Sequence, residues 1–478
     1  MTTLEPALSG DRRDETPDEH TLAAIDRWLE YQLWYSRTPG AQVVVAQRDH
    51  VWLSRAYGWS DLERDVRMTT RHLFRIASHS KTFAATVVLQ LVEAGRLSLE
   101  DPIEDHLEVL AGGPVGRVRV RELLEHTGGL LRDGPDADYW QLQRPFPDAA
   151  QLLEMASGGG LKTPPGAAFA YSNVGYSLVG LLVEAVTGQS FASVARHQVL
   201  DPLGLQDTAA GYLTERGGDY AVGYGSLSTA TRRQPLPHVD TTAMDAATGF
   251  TSTAEDLARY FAAHALGDER LLPDRVKRLQ QRVANLTQEG DDLTGYGWGM
   301  VVEEVDGRRF VGHSGGYPGH ITKSLLDPVT GLVVVVLTNA MGGPATALAR
   351  GVVHLLQAAA KKPAAPAPAP SATALARTGR WASAWGVVDV AALGGRLLVL
   401  DPTSTTPAEN ADELAEDDDG LRIRSGSGYG SVGEPVTFTP EGDGVAQLRY
   451  GGMTMHSFAT LPDSPVRRLG GTDGPASA

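Results

Sequence analysis

The sequence predicts an α/β (α+β) chain: a large domain of mixed helices and strands, followed by a small all-β domain. Three observations carry that expectation. Up to about residue 360, apolar residues recur at helical spacing in some segments and in short strand-like runs in others. Residues 363–370 then read Pro-Ala-Ala-Pro-Ala-Pro-Ala-Pro, an extended, semi-rigid linker. Beyond it only short strand-like runs remain, separated by turn residues. The expected division is a flexible tail at 1–20, a main domain at 21–362, the linker at 363–370 and a sandwich or barrel at 371–478.

In chain order, Thr21 to Leu33 has helical spacing (Leu22, Ile25, Leu29, Leu33). Ala41–Gln47 and Val51–Tyr57 read as two strands joined by the polar turn Arg48-Asp49-His50. An apolar helix follows Ser78 and runs to about Glu93-Ala94, with Gly95 placed to cap it. Val118–Glu125 reads as a short helix ending in His126-Thr127-Gly128-Gly129. Histidine in a last turn before glycine is an ordinary C-terminal pattern, so His126 is read as structural. Arg132–Pro147, rich in Asp, Pro and aromatic residues, is a surface excursion, either a pocket wall or a plain loop. Thr163-Pro164-Pro165-Gly166 is a turn; Val174–Val186 is a helix ended by Gly188, with Asn173 as its expected N-cap. Ala254–Ala265 is helical, and a strand-rich region starts at Gly295. Arg308–Gly312, Ile321–Leu326 and Leu332–Thr338 read as consecutive antiparallel strands, closed by a helix at Ala345–Ala360. In the last domain Trp381–Val390, Arg396–Leu400, Leu421–Arg424, Pro435–Thr439 and Ala446–Tyr450 are the strand-like runs. The acidic stretch Glu409–Asp419 is expected to be a solvated loop.

Composition narrows the function classes. A chain of 478 residues with 42% hydrophobic and 21% charged residues has enough apolar material for a large core and more than one domain. The net charge of −16 argues against a nucleic-acid backbone or an anionic membrane as partner. Cysteine is absent, which removes disulfides, zinc–cysteine sites and a cysteine nucleophile; neither a metal nor a cofactor is expected. Met1 to His20 is polar and acidic, without a basic start and an apolar run, so no secretory signal is visible. Apolar runs such as Gly331–Leu337 are far too short to span a bilayer, and the expected location is cytoplasmic.

Two serines compete as nucleophile. Ser78 and Lys81 are three residues apart, which places them on one helix face. Serine needs a base, and lysine can be one only when its amine is neutral; burial and the positive end of a helix both favour that form. The plainer reading makes Ser78 an N-cap and Lys81 a solvated first-turn residue. The rival serine stands in Gly312-His313-Ser314-Gly315-Gly316, a match to the Gly-x-Ser-x-Gly elbow of α/β-hydrolases. That elbow needs a strand, a sharp turn and a helix, whereas Tyr317-Pro318-Gly319-His320 leads into another strand-like run.

Three motifs in order, Ser78-x-x-Lys81, Tyr171-Ser172-Asn173 and His313-Ser314-Gly315, resemble the serine β-lactamase and penicillin-binding-protein superfamily over about residues 20 to 360. The nearest likeness is the branch with class C β-lactamases, D-alanyl-D-alanine carboxypeptidases, D-aminopeptidases and related esterases. Leu124-Glu125-His126-Thr127-Gly128-Gly129-Leu130 and Pro165-Gly166 look like the same family. The resemblance implies a central antiparallel sheet with a helical subdomain, and a final domain similar to the lipocalin-like domain appended to some members.

It also implies roles. Ser78 would form an acyl-enzyme, with Lys81 and Tyr171 shuttling the proton, either of them being the base. Asn173 would hydrogen-bond Lys81 or the acyl chain, His313 would be the polar group across the cleft, and the N–H groups of Ser78 and Gly316 would form the oxyanion hole. Members that bind β-lactams well usually carry Lys-Thr-Gly at the third motif. Histidine at 313 removes that fixed cation, which points from a dedicated β-lactamase toward an esterase, amidase or D-aminopeptidase. The expected partner is a small-molecule or peptidyl substrate. A second expectation is a stand-alone penicillin-binding-protein-type thioesterase that releases and cyclises nonribosomal peptides from a carrier protein. A third is a non-catalytic binding protein, against which the intact Ser78, Lys81 and Tyr171 stand. Oligomeric state is left open.

Overall fold

The computed structural model describes residues 16–289, 292–361, 369–417, 420–426, 432–441 and 444–458. Residues 1–15 of the expected tail and 363–368 of the expected linker lie outside them. The chain forms two compact units: Thr38–Ala349, and Thr16–Arg37 together with the chain from Arg350. This departs from the division expected from the Pro/Ala stretch. Helix α1 (Glu19–Tyr35) groups with the C-terminal unit, because Trp28 Nε1 donates to the Ser404 carbonyl (3.2 Å) and Gln32 Nε2 to that of Pro402 (2.6 Å).

The larger unit is built on a nine-stranded antiparallel sheet. β1 (Gly40–Gln47) and β2 (His50–Asp61) form a hairpin, with β3 (Val66–Arg67) at its edge. The remaining strands are β4 (Asn285–Glu289), β5 (Asp292–Tyr296), β6 (Val301–Val305), β7 (Arg308–Tyr317), β8 (His320–Leu326) and β9 (Leu332–Thr338). Their order across the sheet is β3-β2-β1-β9-β8-β7-β6-β5-β4. β1 pairs with β9 from Ala41↔Thr338 to Gln47↔Leu332, joining the two ends of the unit in mid-sheet. β9, Leu-Val-Val-Val-Val-Leu-Thr, is buried throughout, as a central strand covered on both faces must be. Among the described residues no single helix is long and apolar enough to cross a membrane.

Helices α2 (Ser80–Glu93), α3 (Asn173–Thr187) and α4 (Ala254–Ala262) share one apolar core with the sheet. In α2 every residue from Ser80 to Leu89 is buried, which fits a helix apolar on most of its circumference. The N-cap of α3 is Ser172, whose hydroxyl accepts the Gly175 N–H. This corrects the expectation for Asn173, which sits one residue inside the helix with its side chain free for other bonds. The Arg308–Gly312 strand continues to Tyr317, so Ser314 lies in mid-strand opposite Lys323 and no elbow turn exists there. α5 (Ala345–Ala360) forms where expected.

The C-terminal unit holds a closed barrel of eight strands in sequence order: β10 (Gly379–Ser383), β11 (Gly386–Leu393), β12 (Arg396–Leu400), β13 (Asp412–Asp417), β14 (Gly420–Ser425), β15 (Pro435–Glu441), β16 (Gly444–Tyr450) and β17 (Met453–Ser457). Closure is by β17 on β10, Trp381↔Ser457. The single run expected at Trp381–Val390 is a hairpin turning at Ala384-Trp385. The acidic loop expected at 409–419 is largely strand β13: Asp412 and Leu414 point inward, and Asp412 accepts the Tyr450 hydroxyl. Trp381, Val390, Leu397, Val399, Leu414, Ile423 and Leu448 belong to the buried core of the barrel.

Candidate active site

Ser78 lies in the 3-10 turn Ala77–His79, directly before α2. It does not cap the helix: His79 holds the N-cap position and makes no side-chain cap bond. Ala77 stands at φ 50°, a left-handed conformation that costs a non-glycine residue on the order of 1 kcal/mol or more. The turn is held from several sides. Ala77 packs with Tyr139, Phe146, Met244 and Tyr317. Ser80 Oγ donates to the Ala77 carbonyl (2.6 Å) and accepts the Phe250 N–H (2.9 Å). His79 contacts the Ile76 carbonyl through Nδ1 (3.0 Å) and Ser324 Oγ through Nε2 (2.9 Å), tying the turn to β8; burial pushes its pKa down to about 3. Gly315 of β7 presses on the same turn. A Cβ there would lie 2.3 Å from the Ile76 carbonyl oxygen and 2.3 Å from Thr322 Oγ1, so only glycine lets the strand approach.

Lys81, fully buried, has three hydrogen-bond partners, all neutral. Its Nζ lies 2.7 Å from Asn173 Oδ1, 2.7 Å from the Ala247 carbonyl and 3.2 Å from Ser78 Oγ. The Tyr171 hydroxyl is 2.8 Å from the same Ser78 Oγ. Burial holds the Lys81 ammonium well below the usual lysine range; nearby Asp133 opposes that shift and Arg132 adds to it. Gly299, at φ 74°, lets the chain after β5 lie against α2, where a Cβ would be 2.8 Å from the Lys81 carbonyl.

His313 is buried and its pKa is lowered well below the usual value, first by desolvation and then by His79 and Lys81. Nδ1 faces the Ser314 carbonyl at 2.6 Å and Nε2 faces the Tyr296 hydroxyl at 3.2 Å, which assigns the proton to Nδ1. Position 313 therefore supplies a neutral imidazole and no cation. β6 pairs with β7 only as far as Val301↔Gly312, while β8 pairs on to Tyr317↔His320. Counting the antiparallel alternation from the two-residue turn at Pro318-Gly319 puts the Gly316 N–H on the side away from β8. That side opens on a pocket of about 800 Å³, whose lining includes Ser78, Arg132, Trp140, Tyr171, His313 and Gly316.

The structure thus gathers Ser78, Lys81, Tyr171 and Asn173 into one hydrogen-bonded group, with His313 and Gly316 on the wall of the same pocket. His126 packs its ring 4.2 Å from that of Tyr171 and accepts the Ser172 N–H at 3.1 Å, so it supports the middle motif from behind. Sequence reasoning did not single out His79, Tyr296 or Asp133. The signal for Asp133 lay in Arg132–Pro147, which forms part of the pocket wall.

The family model for Beta-lactamase matches residues 25–359. Protein flp of Staphylococcus aureus (strain N315) is 28% identical over 324 residues, covering 66% of this chain but 62% of its own length. The D-stereospecific amidohydrolase from Streptomyces sp. is 26% identical with a TM-score of 0.58, over 68% of this chain and 95% of that one. The octameric penicillin-binding protein homologue from Pyrococcus abyssi shares the fold at 20% identity and a TM-score of 0.63, over 91% of this chain and 99% of that one. The match across residues 25–359, on the fold and the Ser78 cluster just described, places the chain in the beta-lactamase family.

Proposed function

We propose that the chain is a serine hydrolase or acyltransferase that works through a Ser78 acyl-enzyme on amide, peptide or ester carbonyls, with D-configured amides as the leading substrate class. The observation that supports it most is the setting of Lys81. Asn173 Oδ1 and the Ala247 carbonyl can only accept, so they take two N–H bonds. A neutral amine has no third proton and turns its lone pair to Ser78 Oγ. Lys81 is then the base, and the Tyr171 hydroxyl completes the proton path.

As Ser78 Oγ bonds to the carbonyl carbon, its proton passes to Lys81 Nζ. The carbonyl oxygen becomes an anion that meets the N–H groups of Ser78 and Gly316. The Tyr171 hydroxyl protonates the leaving nitrogen or oxygen and recovers its proton from Lys81 as that bond breaks. Water, or an amine for transfer, attacks the acyl-enzyme along the same path in reverse and frees Ser78.

A neutral His313 offers no fixed charge to a substrate carboxylate, which favours amides and esters over β-lactams. The amidohydrolase likeness at 26% identity supports D-configured substrates. A second reading, release and cyclisation of a carrier-bound peptidyl thioester, is favoured by a pocket of about 800 Å³, which has room for several residues. The experiment is turnover of matched D- and L-amino acid amides, p-nitrophenyl esters and peptidyl thioesters by the wild type and Ser78→Ala. Turnover of D-amides that is lost in Ser78→Ala is expected. Turnover that survives the substitution refutes the reading, and cyclic product from the thioester alone selects the second one.

A further inference from the structure

Asp133 opens the segment that walls the pocket and is held on three sides. Its Oδ1 accepts the Asn173 Nδ2–H at 2.6 Å and the Trp140 Nε1–H at 2.9 Å. Its Oδ2 pairs with Arg132 Nε at 3.1 Å, and its main-chain carbonyl accepts the Tyr139 hydroxyl at 2.9 Å. The side chain is only 13% exposed, whereas Arg132 is 72% exposed. An asparagine amide has a donor end and an acceptor end, and a carboxylate can only accept. Asp133 therefore dictates that Asn173 turns Nδ2 outward and Oδ1 toward Lys81.

We propose that Asp133 is a positioning residue for the Ser78 reaction: it fixes the Asn173 amide so that its oxygen faces Lys81, and it joins that network to Trp140 on the pocket wall. The proposal rests on the reading of Ser78 as nucleophile and Lys81 as base. A flipped amide would aim N–H groups at Lys81 and take up the lone pair that Ser78 needs. The hydrogen bond to Trp140 ties the pocket wall to the same carboxylate.

Asp133 also contributes charge. The titratable groups facing Lys81 are Asp133 and Arg132 from the pocket wall, His126 behind Tyr171, Tyr171 just before α3 and Tyr176 in its first turn, and His313 on β7. Burial holds both histidines neutral, which leaves Asp133 and Arg132 as the formal charges acting on the amine. Asp133 favours the ammonium form and Arg132 the neutral one. Asp133→Asn keeps an acceptor oxygen and removes the charge. The acid limb of activity, where Lys81 loses its proton, then moves to lower pH, and Arg132→Gln moves it to higher pH.

The test measures kcat/KM for a p-nitrophenyl ester across pH in the wild type, Asp133→Asn, Asp133→Ala and Arg132→Gln, with Ser78 labelling by a fluorophosphonate and thermal melting alongside. Opposite shifts in Asp133→Asn and Arg132→Gln are expected, together with a loss of at least about tenfold in kcat in Asp133→Ala, as for removal of a group that orients a proton-transfer residue. An acid limb that stays in place in both charge variants, with only the melting temperature reduced, overturns the proposal. A wild type that hydrolyses the ester without labelling at Ser78 overturns the underlying reading instead, and the labelling result separates the two failures.

Discussion

Two buried lysines in the larger unit meet opposite surroundings. Lys323 on β8 lies against Glu303 on β6, both side chains almost without exposure, and its charge is matched by a carboxylate. Lys81 at the start of α2 is equally buried, yet its hydrogen-bond partners are an amide oxygen, a main-chain carbonyl and a serine hydroxyl. A buried ammonium needs a counter-charge or it gives up its proton. Lys323 has the first arrangement and Lys81 the conditions for the second. Burial alone therefore does not separate the two lysines; the charge of their partners does.

Four sets of substitutions probe that contrast. Ser78→Ala is expected to reduce turnover on the order of a millionfold, measured as kcat on the best ester or amide, while Ser314→Ala costs far less. Lys81→Ala is expected to lose about 100- to 10,000-fold in kcat, the usual range for a general base; a mild effect would mean that another group takes the Ser78 proton. Lys323→Met should leave the rate per folded molecule near wild type but cost about 3–5 kcal/mol in denaturant unfolding, because the buried Glu303 loses the cation that matches its charge. Adding Glu303→Leu to Lys323→Met should recover most of that loss.

The smallest effect concerns His79, whose pKa falls from 6.5 to about 3 on burial. Unfolding lets it bind a proton, so its contribution to stability is full above pH 6.5 and is lost progressively as pH falls toward 3. His264, with a pKa of about 4, acts in the same direction, so the comparison is between variant and parent. Melting temperature of the parent should fall through that window, and His79→Asn should show a shallower fall. An identical slope would mean that His79 titrates alike in the folded and unfolded chain.

Much of the site was legible because its chemistry repeats at short spacing. Ser78 and Lys81 share a helix start, Tyr171 and Asn173 flank one residue, and His313 precedes Ser314 and two glycines; the order of these motifs located the cluster. Helices α2, α3 and α5 and strands β1, β8 and β9 followed from apolar spacing. What could not be read depends on distant partners. Asp133 is an acid in a loop until Asn173, 40 residues on, is seen to donate to it. β13 looks like a solvated acidic run because its inward positions alternate with charges, and only the barrel gives Leu414 and Asp412 an interior. Strands β4 and β5, at one end of the sheet, carry little apolar signal, and their pairing, Thr287↔Thr294, is visible only in the folded sheet. Helix α1 has the pattern of any amphipathic helix, and the partners that place it, Pro402 and Ser404, lie some 370 residues away.

The most direct test of the account is intact mass after treatment with a fluorophosphonate, followed by peptide mapping, on the wild type, Ser78→Ala and Ser314→Ala. A single adduct on Ser78 is expected, one that disappears in Ser78→Ala and persists in Ser314→Ala. An adduct on Ser314 that survives Ser78→Ala would contradict it and move the nucleophile to β7.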